Sequence, residues 1–300
     1  MRRARLRADL TIRSVLRLPL YAALLLATVS LPGCGGGTSD GSPAATAFVS
    51  FNKDRVPIGS AVTLTYKFEV APDAKLPPND WVFVHVMDAD GQMMWTDDHV
   101  PPTPTGQWQP GQTVQYQRTI FVPNYPYIGE ATVRLGLYDR DSGERVVLNN
   151  EEVVRREYLV GKVRILPQSE NIFLVYKDGW YPPEVQSTNP AVQWRWSAKT
   201  GTVQFQNPKK DLTLYVEYAG RPDLFTPPQK VSVKVGDQIV GQFAADAKDP
   251  ALKTVPISAA QLGAGQFATL ALDVDRTFTP GPSDTRTLGI QVYHLYLEPR

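Results

Sequence analysis

The chain has 300 residues, with 31 lysines and arginines, 30 aspartates and glutamates, and one cysteine. Outside residues 1–33, which hold six arginines and one aspartate, the net charge is −4, and a mildly acidic chain without basic clusters is not expected to bind nucleic acid. A single cysteine excludes intrachain disulfides and sites built from several thiolates, so two domains of ordinary size must fold by apolar burial alone.

The first 33 residues have the composition of a secretory signal peptide. Six arginines lie within residues 1–17, and the apolar run "LPLYAALLLATVSL" follows at residues 18–31. At ~1.5 Å per residue this run is roughly 21 Å long, shorter than the ~30 Å hydrocarbon layer of a membrane. We therefore expect a cleaved leader rather than a permanent membrane-spanning helix.

The leader ends on "LPGC" at residues 31–34, which resembles the lipobox of bacterial lipoproteins. The resemblance implies that Cys34 is acylated, for example with palmitate, and becomes the mature amino terminus. The alternative is an ordinary cleaved signal followed by a stray cysteine. Residues 34–45 then form the lipidated cysteine and a flexible glycine- and serine-rich linker. Gly35, in place of an aspartate, implies the outer membrane, on its periplasmic or surface face, if the source is Gram-negative.

From residue 46 onward, apolar and polar residues alternate as half-buried strands require. In "AVTLTYKFEV" the apolar side chains from Val62 to Val70 point one way and the polar ones point the other. Seven or eight short antiparallel strands within residues 46–167 predict an immunoglobulin-like sandwich. The predicted strands cover residues 46–51, 61–70, 81–87, 92–97, 112–122, 130–138, 144–148 and 157–166.

Two acidic turns, "DADG" at residues 88–91 and "DRDSGE" at residues 139–144, separate predicted strands of this first half. Asp88 could begin a calcium loop, but the twelfth position of that loop is His99 rather than the required glutamate. Plain hairpin turns explain both segments better, since Asp, Ser and Gly supply the turn chemistry directly.

A boundary is predicted at Pro167 to Glu170, and a second all-β domain at residues 168–300. Ser258 is a good helix N-cap before a short turn that Gly263 ends. Nine strands in this half predict a jelly-roll sandwich. They are expected at residues 171–176, 192–197, 201–206, 211–219, 229–235, 238–244, 252–257, 268–275 and 286–297.

Both halves resemble modules of the bacterial cell envelope. "WVFVHVMDADGQMMWTDDHVPP", "WQPGQTVQYQRTIFVP" and "GEATVRLGLYDRDSGERV" are similar to β-sandwich modules found in envelope proteins and beside membrane glycosyltransferases. From residue 179 onward, "GWYPPE", "WRWSAKTGTV" and "DTRTLGIQVYHLYLEP" resemble the galactose-binding-like sandwich that accompanies cell-surface polysaccharide machinery. The resemblance implies a fold and a location, and sugar binding follows only by analogy.

The sequence contains no motif for a nucleophile, a phosphate loop or a metal-binding helix, and we expect neither a cofactor nor a metal. Glycoside hydrolysis requires two carboxylates that face each other across a cleft, and no spacing in the sequence pairs any two acids. We therefore expect a protein that is not an enzyme. The acids that qualify by residue type are Asp97, Asp98, Glu184, Asp273, Asp275 and Asp284.

The aromatic residues near position 180 give a specific hypothesis. Trp180 and Tyr181 precede two prolines in a loop, where exposed rings suit the apolar face of a sugar, and Glu184, Arg195 and Arg286 could bind its hydroxyl groups. The alternative is that these residues are structural, with the ionic pairs fixing loops to strands. Tryptophans in sandwiches usually belong to the core, and we expect this of Trp194 and Trp196, which share one face of a strand.

These observations favour a non-catalytic, lipid-anchored envelope protein that binds or scaffolds surface polysaccharide or its assembly machinery. A structural or protein-binding role without any glycan ligand is the alternative. A carbohydrate-active enzyme is the third reading. The expected partners are the membrane, through the lipid anchor, and a polysaccharide or an envelope protein.

Overall fold

In the computed structural model, which describes residues 41–300, the predicted alternation produces sheets with one buried and one outward face. In the strand at Ala61–Val70, the alternate side chains from Val62 to Val70 are buried and those between them are not. The predicted signal peptide, Cys34 and most of the linker lie outside the described residues.

The described residues form nineteen strands and one short α-helix, together with 3₁₀ turns at Thr105–Gln107 and Gln168–Glu170. In chain order they are β1 (Ala45–Phe51), β2 (Arg55–Pro57), β3 (Ala61–Val70), β4 (Trp81–Met87), β5 (Met93–Thr96), β6 (Thr113–Phe121), β7 (Gly129–Tyr138), β8 (Glu151–Val154), β9 (Glu157–Leu166), β10 (Val175–Tyr176), β11 (Glu184–Gln186), β12 (Asn189–Trp196), β13 (Thr200–Gln206), β14 (Leu212–Ala219), β15 (Gln229–Val235), β16 (Gln238–Ala245), β17 (Ala251–Ile257), α1 (Ala259–Leu262), β18 (Phe267–Val274) and β19 (Gln291–Pro299).

Strands β1–β9 form the first sandwich. One sheet has the order β1-β3-β6, and the other has the order β2-β9-β7-β4-β5, with β8 paired to β9. The consecutive strands β1 and β2 belong to different sheets, and β2 pairs with β9 in parallel, from Arg55 opposite Arg164 to Pro57 opposite Leu166. The sequence predicted antiparallel strands, and the parallel β2–β9 pair departs from that prediction. The two-sheet order is that of an immunoglobulin-like sandwich, which confirms the predicted fold class.

Strands β10–β19 form the second sandwich, with the sheet orders β10-β13-β18-β15-β16 and β11-β12-β19-β14-β17. From β12 onward each strand is followed by one in the opposite sheet, except that β15 and β16 form a hairpin. This alternation between two four-stranded sheets, each extended by one short edge strand, is the jelly-roll arrangement. The predicted all-β class is confirmed for this half as well.

Three predicted segments differ from the structure. Residues 144–148 form no strand, because the chain crosses from one sheet to the other there, with single bridges from Arg145 to Tyr138 and from Leu148 to Ala45. Only residues 175–176 of the predicted strand at 171–176 pair, and residues 286–290 belong to a loop before β19. Strands β2, β8 and β11 were not predicted, since each has four residues or fewer and no clear alternation.

The predicted turns form as expected. In the first acidic turn, the Asp88 carboxylate accepts hydrogen bonds from the backbone N–H groups of Asp90 and Gln92 at 3.0 and 2.8 Å. In the second, the Asp139 carboxylate accepts from the backbone of Asp141 at 3.0 Å. Helix α1 begins with a capping box, in which Ser258 and Gln261 exchange side-chain-to-backbone hydrogen bonds.

Residues Gly41–Arg300 form one compact unit with two hydrophobic cores, one within each sandwich. The sandwiches contact each other through the outward face of the β14–β19 pair. There, Lys53 forms an ion pair with Glu298. In the segment that connects the sandwiches, the Asn171 side-chain amide donates to the carbonyl of Ile58 at 2.7 Å. The predicted boundary at residues 167–170 coincides with the 3₁₀ turn at Gln168–Glu170.

Candidate functional site

Arg286 is the centre of the cluster predicted from the sequence. Its guanidinium donates to Glu184 at 2.6 Å and makes two hydrogen bonds to Asp284 at 2.9 and 2.7 Å. It also lies 5.3 Å from the centre of the Tyr181 ring. The hydrogen bonds that Arg286 donates to Asp284 and Glu184 raise the pKa of Arg286, and the bond from Arg286 lowers the pKa of Asp284. The Arg286–Asp284 pair is therefore held in its ionised form.

The aromatic members of the cluster are also tied to the protein. The Trp180 indole N–H donates to the carbonyl of Thr202 at 2.8 Å. Its ring covers Gly201, where a Cβ would lie 2.7 Å from the indole, so only glycine fits. The Tyr181 hydroxyl donates to the carbonyl of Thr287 at 3.0 Å and accepts from its N–H at 3.1 Å.

Arg195 lies on the face of β12 opposite to Trp194 and Trp196, as the alternation requires. Its guanidinium donates to the carbonyl of Tyr181 at 3.4 Å and lies 4.8 Å from the centre of the Tyr176 ring. Trp196 is buried, whereas Trp194 is half-buried.

The structure thus brings Tyr181, Glu184, Arg195 and Arg286 together where the loop at 180–183, strands β11 and β12 and the loop before β19 meet. The Trp180 ring instead packs on β13 of the opposite sheet. The polar groups of these residues bind one another or nearby backbone atoms, as a structural pin requires. The Trp180 indole, the Tyr181 hydroxyl and most of the Arg286 guanidinium are used in this way, so these contacts favour the structural alternative for this cluster.

An exposed surface with unused polar groups lies elsewhere on the second sandwich. A cavity of about 680 Å³ opens on the outward face of the β10-β13-β18 sheet. The side chain of Phe173 is 80% exposed and that of Phe267 is 56% exposed, although large apolar residues are normally buried. We call this surface the sheet-face groove, and its defining residues are Phe173, Val175, Gln204, Gln206 and Phe267.

The strand register places these side chains on one face of the sheet. Gln206 is paired with Phe267, and Gln204 with Val175, and directly paired residues point to the same side. The side-chain amides of Gln204 and Gln206 make no hydrogen bond to any other group within residues 41–300. Among the described residues, Glu170 is the one charged residue that lines this cavity, so the groove presents mainly rings and neutral amides.

The sequence contained a signal for this surface. In β18 the buried residues are Ala268, Leu270, Leu272 and Val274, and Phe267 falls on the opposite, outward phase. Phe173 is likewise out of phase with the half-buried Ile172 and Leu174. An aromatic residue at an outward position of a strand is therefore a sequence signal for an exposed ring, and it is distinct from the loop aromatics on which the Trp180 hypothesis rests.

A buried polar network lies in the first sandwich. Asp97 accepts a hydrogen bond from the Tyr66 hydroxyl at 2.7 Å and two from Arg118 that run in parallel. The His99 Nδ1 atom lies 2.7 Å from the Asp97 carbonyl, which can only accept, so Nε2 accepts from the Tyr116 hydroxyl. Burial raises the pKa of Tyr66 and lowers the pKa of His99. Every member has a partner, which is typical of a structural network.

Asp80 is a different case. Its side chain is 1% exposed, and neither carboxylate oxygen has a hydrogen-bond partner among the described residues. Burial, with a contribution from Asp139, raises the pKa of Asp80 to about 6. The residue borders a cavity of about 390 Å³ together with Asp139 and Arg145, but its own oxygens are not accessible from it.

The acids considered for hydrolysis each have a partner within residues 41–300. Besides Asp97, Glu184 and Asp284, described above, Asp98 accepts from the backbone of Val84, Asp273 pairs with Lys234, and Asp275 accepts from the backbone of Lys230. In the same part of the chain, no three His, Cys, Asp or Glu side chains come together as metal ligands. No helix there is long and apolar enough to cross a membrane.

No known protein family matches this sequence, and no curated protein is similar to it. Among solved structures, the chain is similar to a β-glucuronidase of Bacteroides uniformis, with 8% identity and a TM-score of 0.29 over 85% of this chain and 30% of that one. It is also similar to trypsin-activated α2-macroglobulin from Escherichia coli, with 11% identity and a TM-score of 0.24 over 84% of this chain and 16% of that one.

A third similar structure is Spo0M, a sporulation control protein from Bacillus subtilis, with 12% identity and a TM-score of 0.24 over 55% of this chain and 80% of that one. The chain spans 30% and 16% of the length of the first two proteins. These neighbours are β-rich bacterial domains, and such distant similarity assigns no function to this chain.

Proposed function

We propose that this protein is a lipid-anchored, non-catalytic binding module of the cell envelope, and that its sheet-face groove binds a neutral surface polysaccharide. The observation that carries the proposal is the pair of exposed rings, Phe173 and Phe267, beside the side-chain amides of Gln204 and Gln206, which have no hydrogen-bond partner within residues 41–300. A flat ring packs against the apolar face of a sugar, and an amide can both donate to and accept from its hydroxyl groups.

The anchoring part of the proposal rests on Cys34 and the leader before it. The described domain begins only a few residues later, since β1 starts at Ala45. A linker of that length spans ~18 Å on average, so the sandwiches would remain close to the membrane to which the acyl chains attach. A neutral polymer at the cell surface would be within reach of the groove in that position.

Binding of the purified full chain in detergent to immobilised linear polysaccharides tests this function. The panel contains neutral glucan, mannan, galactan and xylan, with alginate and hyaluronan as anionic polymers. We expect retention on at least one neutral polymer and about tenfold weaker binding by Phe267→Ala, because a stacked ring is lost. Phe48→Ala is the matched control, since Phe48 is an exposed phenylalanine on the first sandwich. The proposal would be contradicted if the protein bound none of the neutral polymers, or if the Phe267→Ala variant bound them as tightly as the unaltered protein.

One observation favours a second candidate function, the docking of a protein partner. Strand β10 is the edge of its sheet, and it carries exposed Val175 next to Phe173. An extended peptide could pair with this edge and place apolar side chains on the rings. Such a ligand would be lost on protease treatment of a cell-envelope extract, whereas a polysaccharide would survive it.

A further inference from the structure

A third cavity lies at the junction of the two sandwiches. It has a volume of about 540 Å³, and its lining includes Gly59 from the first sandwich and Leu295 from the second. We call it the junction cavity. The volumes of the junction cavity and of the sheet-face groove fall within the range of ~300–1,000 Å³ that is typical of small-molecule sites.

The junction cavity and the sheet-face groove meet at one segment of chain. Both are lined by Ser169, Asn171, Ile172 and Phe173. The strongly exposed ring of Phe173 therefore stands between two concave surfaces rather than at the end of one. The segment is fixed in place, because Asn171 donates to the carbonyl of Ile58 in the first sandwich.

The two surfaces also share their chemistry. In the part of the chain that the structure describes, no charged residue lines the junction cavity, and Glu170 is the single charged residue that lines the groove. Gln168 borders the junction cavity, and its exposed side-chain amide makes no hydrogen bond within residues 41–300. A Cβ at Gly59 would lie 3.7 Å from the Gln168 amide nitrogen, so the wall from the first sandwich comes close to it.

We propose that the groove and the junction cavity together form one elongated path for a linear neutral polysaccharide, which passes across Phe173 and is bound along an internal stretch rather than at its end. This inference rests on the proposed function and names the form of its ligand. A sugar chain that reaches both of two adjacent subsites binds much more tightly than a chain that fills only one of them, because the second contact is intramolecular. Part of the site belongs to the first sandwich, so both sandwiches take part in recognition.

Chain-length dependence tests the proposal. Calorimetric titration of the full chain uses the disaccharide, tetrasaccharide and octasaccharide of whichever neutral polymer binds in the panel above. We expect the octasaccharide to bind at least about tenfold more tightly than the disaccharide, since it reaches both subsites. A polymer with blocked ends should bind as well as the untreated polymer, because internal units make the contacts.

Variants at the two ends distinguish this inference from the proposed function. Gln168→Ala, which alters only the junction cavity, should bring the ratio of octasaccharide to disaccharide affinity down by about fivefold, through loss of a hydrogen bond. Phe267→Ala, which alters only the groove, should weaken both ligands. If Phe267→Ala weakens binding while affinity is independent of chain length and of Gln168, the elongated path is wrong and the glycan function stands. If Phe267→Ala has no effect on any ligand, the proposed function itself fails.

Discussion

The rings of Phe121 and His294 stack face to face across the junction of the two sandwiches, with centroids 4.4 Å apart and planes inclined by 9°. Phe121 ends β6 of the first sandwich, and His294 lies in β19 of the second. The His294 ring is further held by Glu217, whose carboxylate lies 2.6 Å from its Nδ1 atom. With the Lys53–Glu298 ion pair, this stack gives the two sandwiches a defined contact rather than a flexible connection.

Replacement of Phe121 by alanine should loosen this junction. The loss of a stacked, half-buried ring is expected to weaken the contact between the two sandwiches by about 1–3 kcal/mol. Differential scanning calorimetry should then resolve two unfolding transitions, or a broader one. Phe48→Ala, which alters an exposed ring away from the junction, should leave the transition almost unchanged. A single sharp transition in the Phe121 variant, at the original temperature, would show that the stack does not couple the sandwiches.

Asp80 should make the protein less stable as the pH rises. Its folded-state pKa, raised to about 6, lies above the usual value of 3.8, so the folded state binds this proton more tightly than the unfolded state does. The stabilisation that this tighter proton binding gives the folded state is complete below pH ~4 and is lost as the pH rises past 6. The free energy of unfolding should fall by about 3 kcal/mol over this range. Urea titrations at a series of pH values should therefore show a decline over this window that Asp80→Asn removes. Parallel curves for both proteins would contradict the prediction.

Asp97→Asn should lower the free energy of unfolding by about 2–4 kcal/mol, because the change weakens the paired hydrogen bonds from Arg118 and disturbs the buried Tyr66 hydroxyl. Chemical denaturation measures this loss. Glu69→Gln is the matched control, since its ion pair with Lys67 lies at the surface and should contribute less than about 1 kcal/mol. Similar losses in the two variants would mean that burial does not set the value of the Asp97 network.

Arg286→Ala should release the loop at residues 276–290, because the guanidinium connects that loop to Glu184 on β11. We expect several-fold faster amide hydrogen exchange in the loop and at Thr287, with unchanged exchange in the first sandwich. Lys162→Ala removes an exposed ion pair with Glu130 and serves as the control. If the loop of the Arg286 variant remains as protected as before, the ion pairs are not what holds it.

Cys34→Ser should abolish lipid attachment. Metabolic labelling with a palmitate analogue is expected to mark the unaltered chain and not the variant, and the mature mass should correspond to a chain that begins at Cys34 with added acyl groups. An unmodified chain that still begins at Met1 would contradict both the leader and the anchor.

The fold class followed from the sequence because its period-two alternation is regular in long strands such as β3 and β18, where one face is buried. The short strand β2 could not be predicted in the same way. Its three residues include Pro57, and its parallel partner β9 is more than a hundred residues away. Pairing at that distance depends on how the sheets close, and no local pattern reports it.

The predicted site shows a different limit. Tyr181, Glu184 and Arg286 do come together, as their residue types indicated, but sequence does not show which partner takes each hydrogen bond. Tyr181 forms its hydrogen bonds with Thr287, and Arg286 forms its hydrogen bonds with Glu184 and Asp284. Side chains that are suited to ligand binding therefore bind other parts of the protein. The groove at Phe173 and Phe267 depends on the pairing of β10, β13 and β18, which only the assembled sheet defines.

The division of β1 and β2 between the two sheets has a mechanical consequence. A force applied along β1 from its amino-terminal side would load the hydrogen bonds between β1 and β3 in shear, because the bonds of an antiparallel pair lie perpendicular to the strands. This ladder runs from Ala45 opposite Val70 to Phe51 opposite Leu64, so its bonds would share that load. In the lipid-anchored protein proposed above, tension on the tether would therefore reach this ladder before it reached β2, which lies in the other sheet.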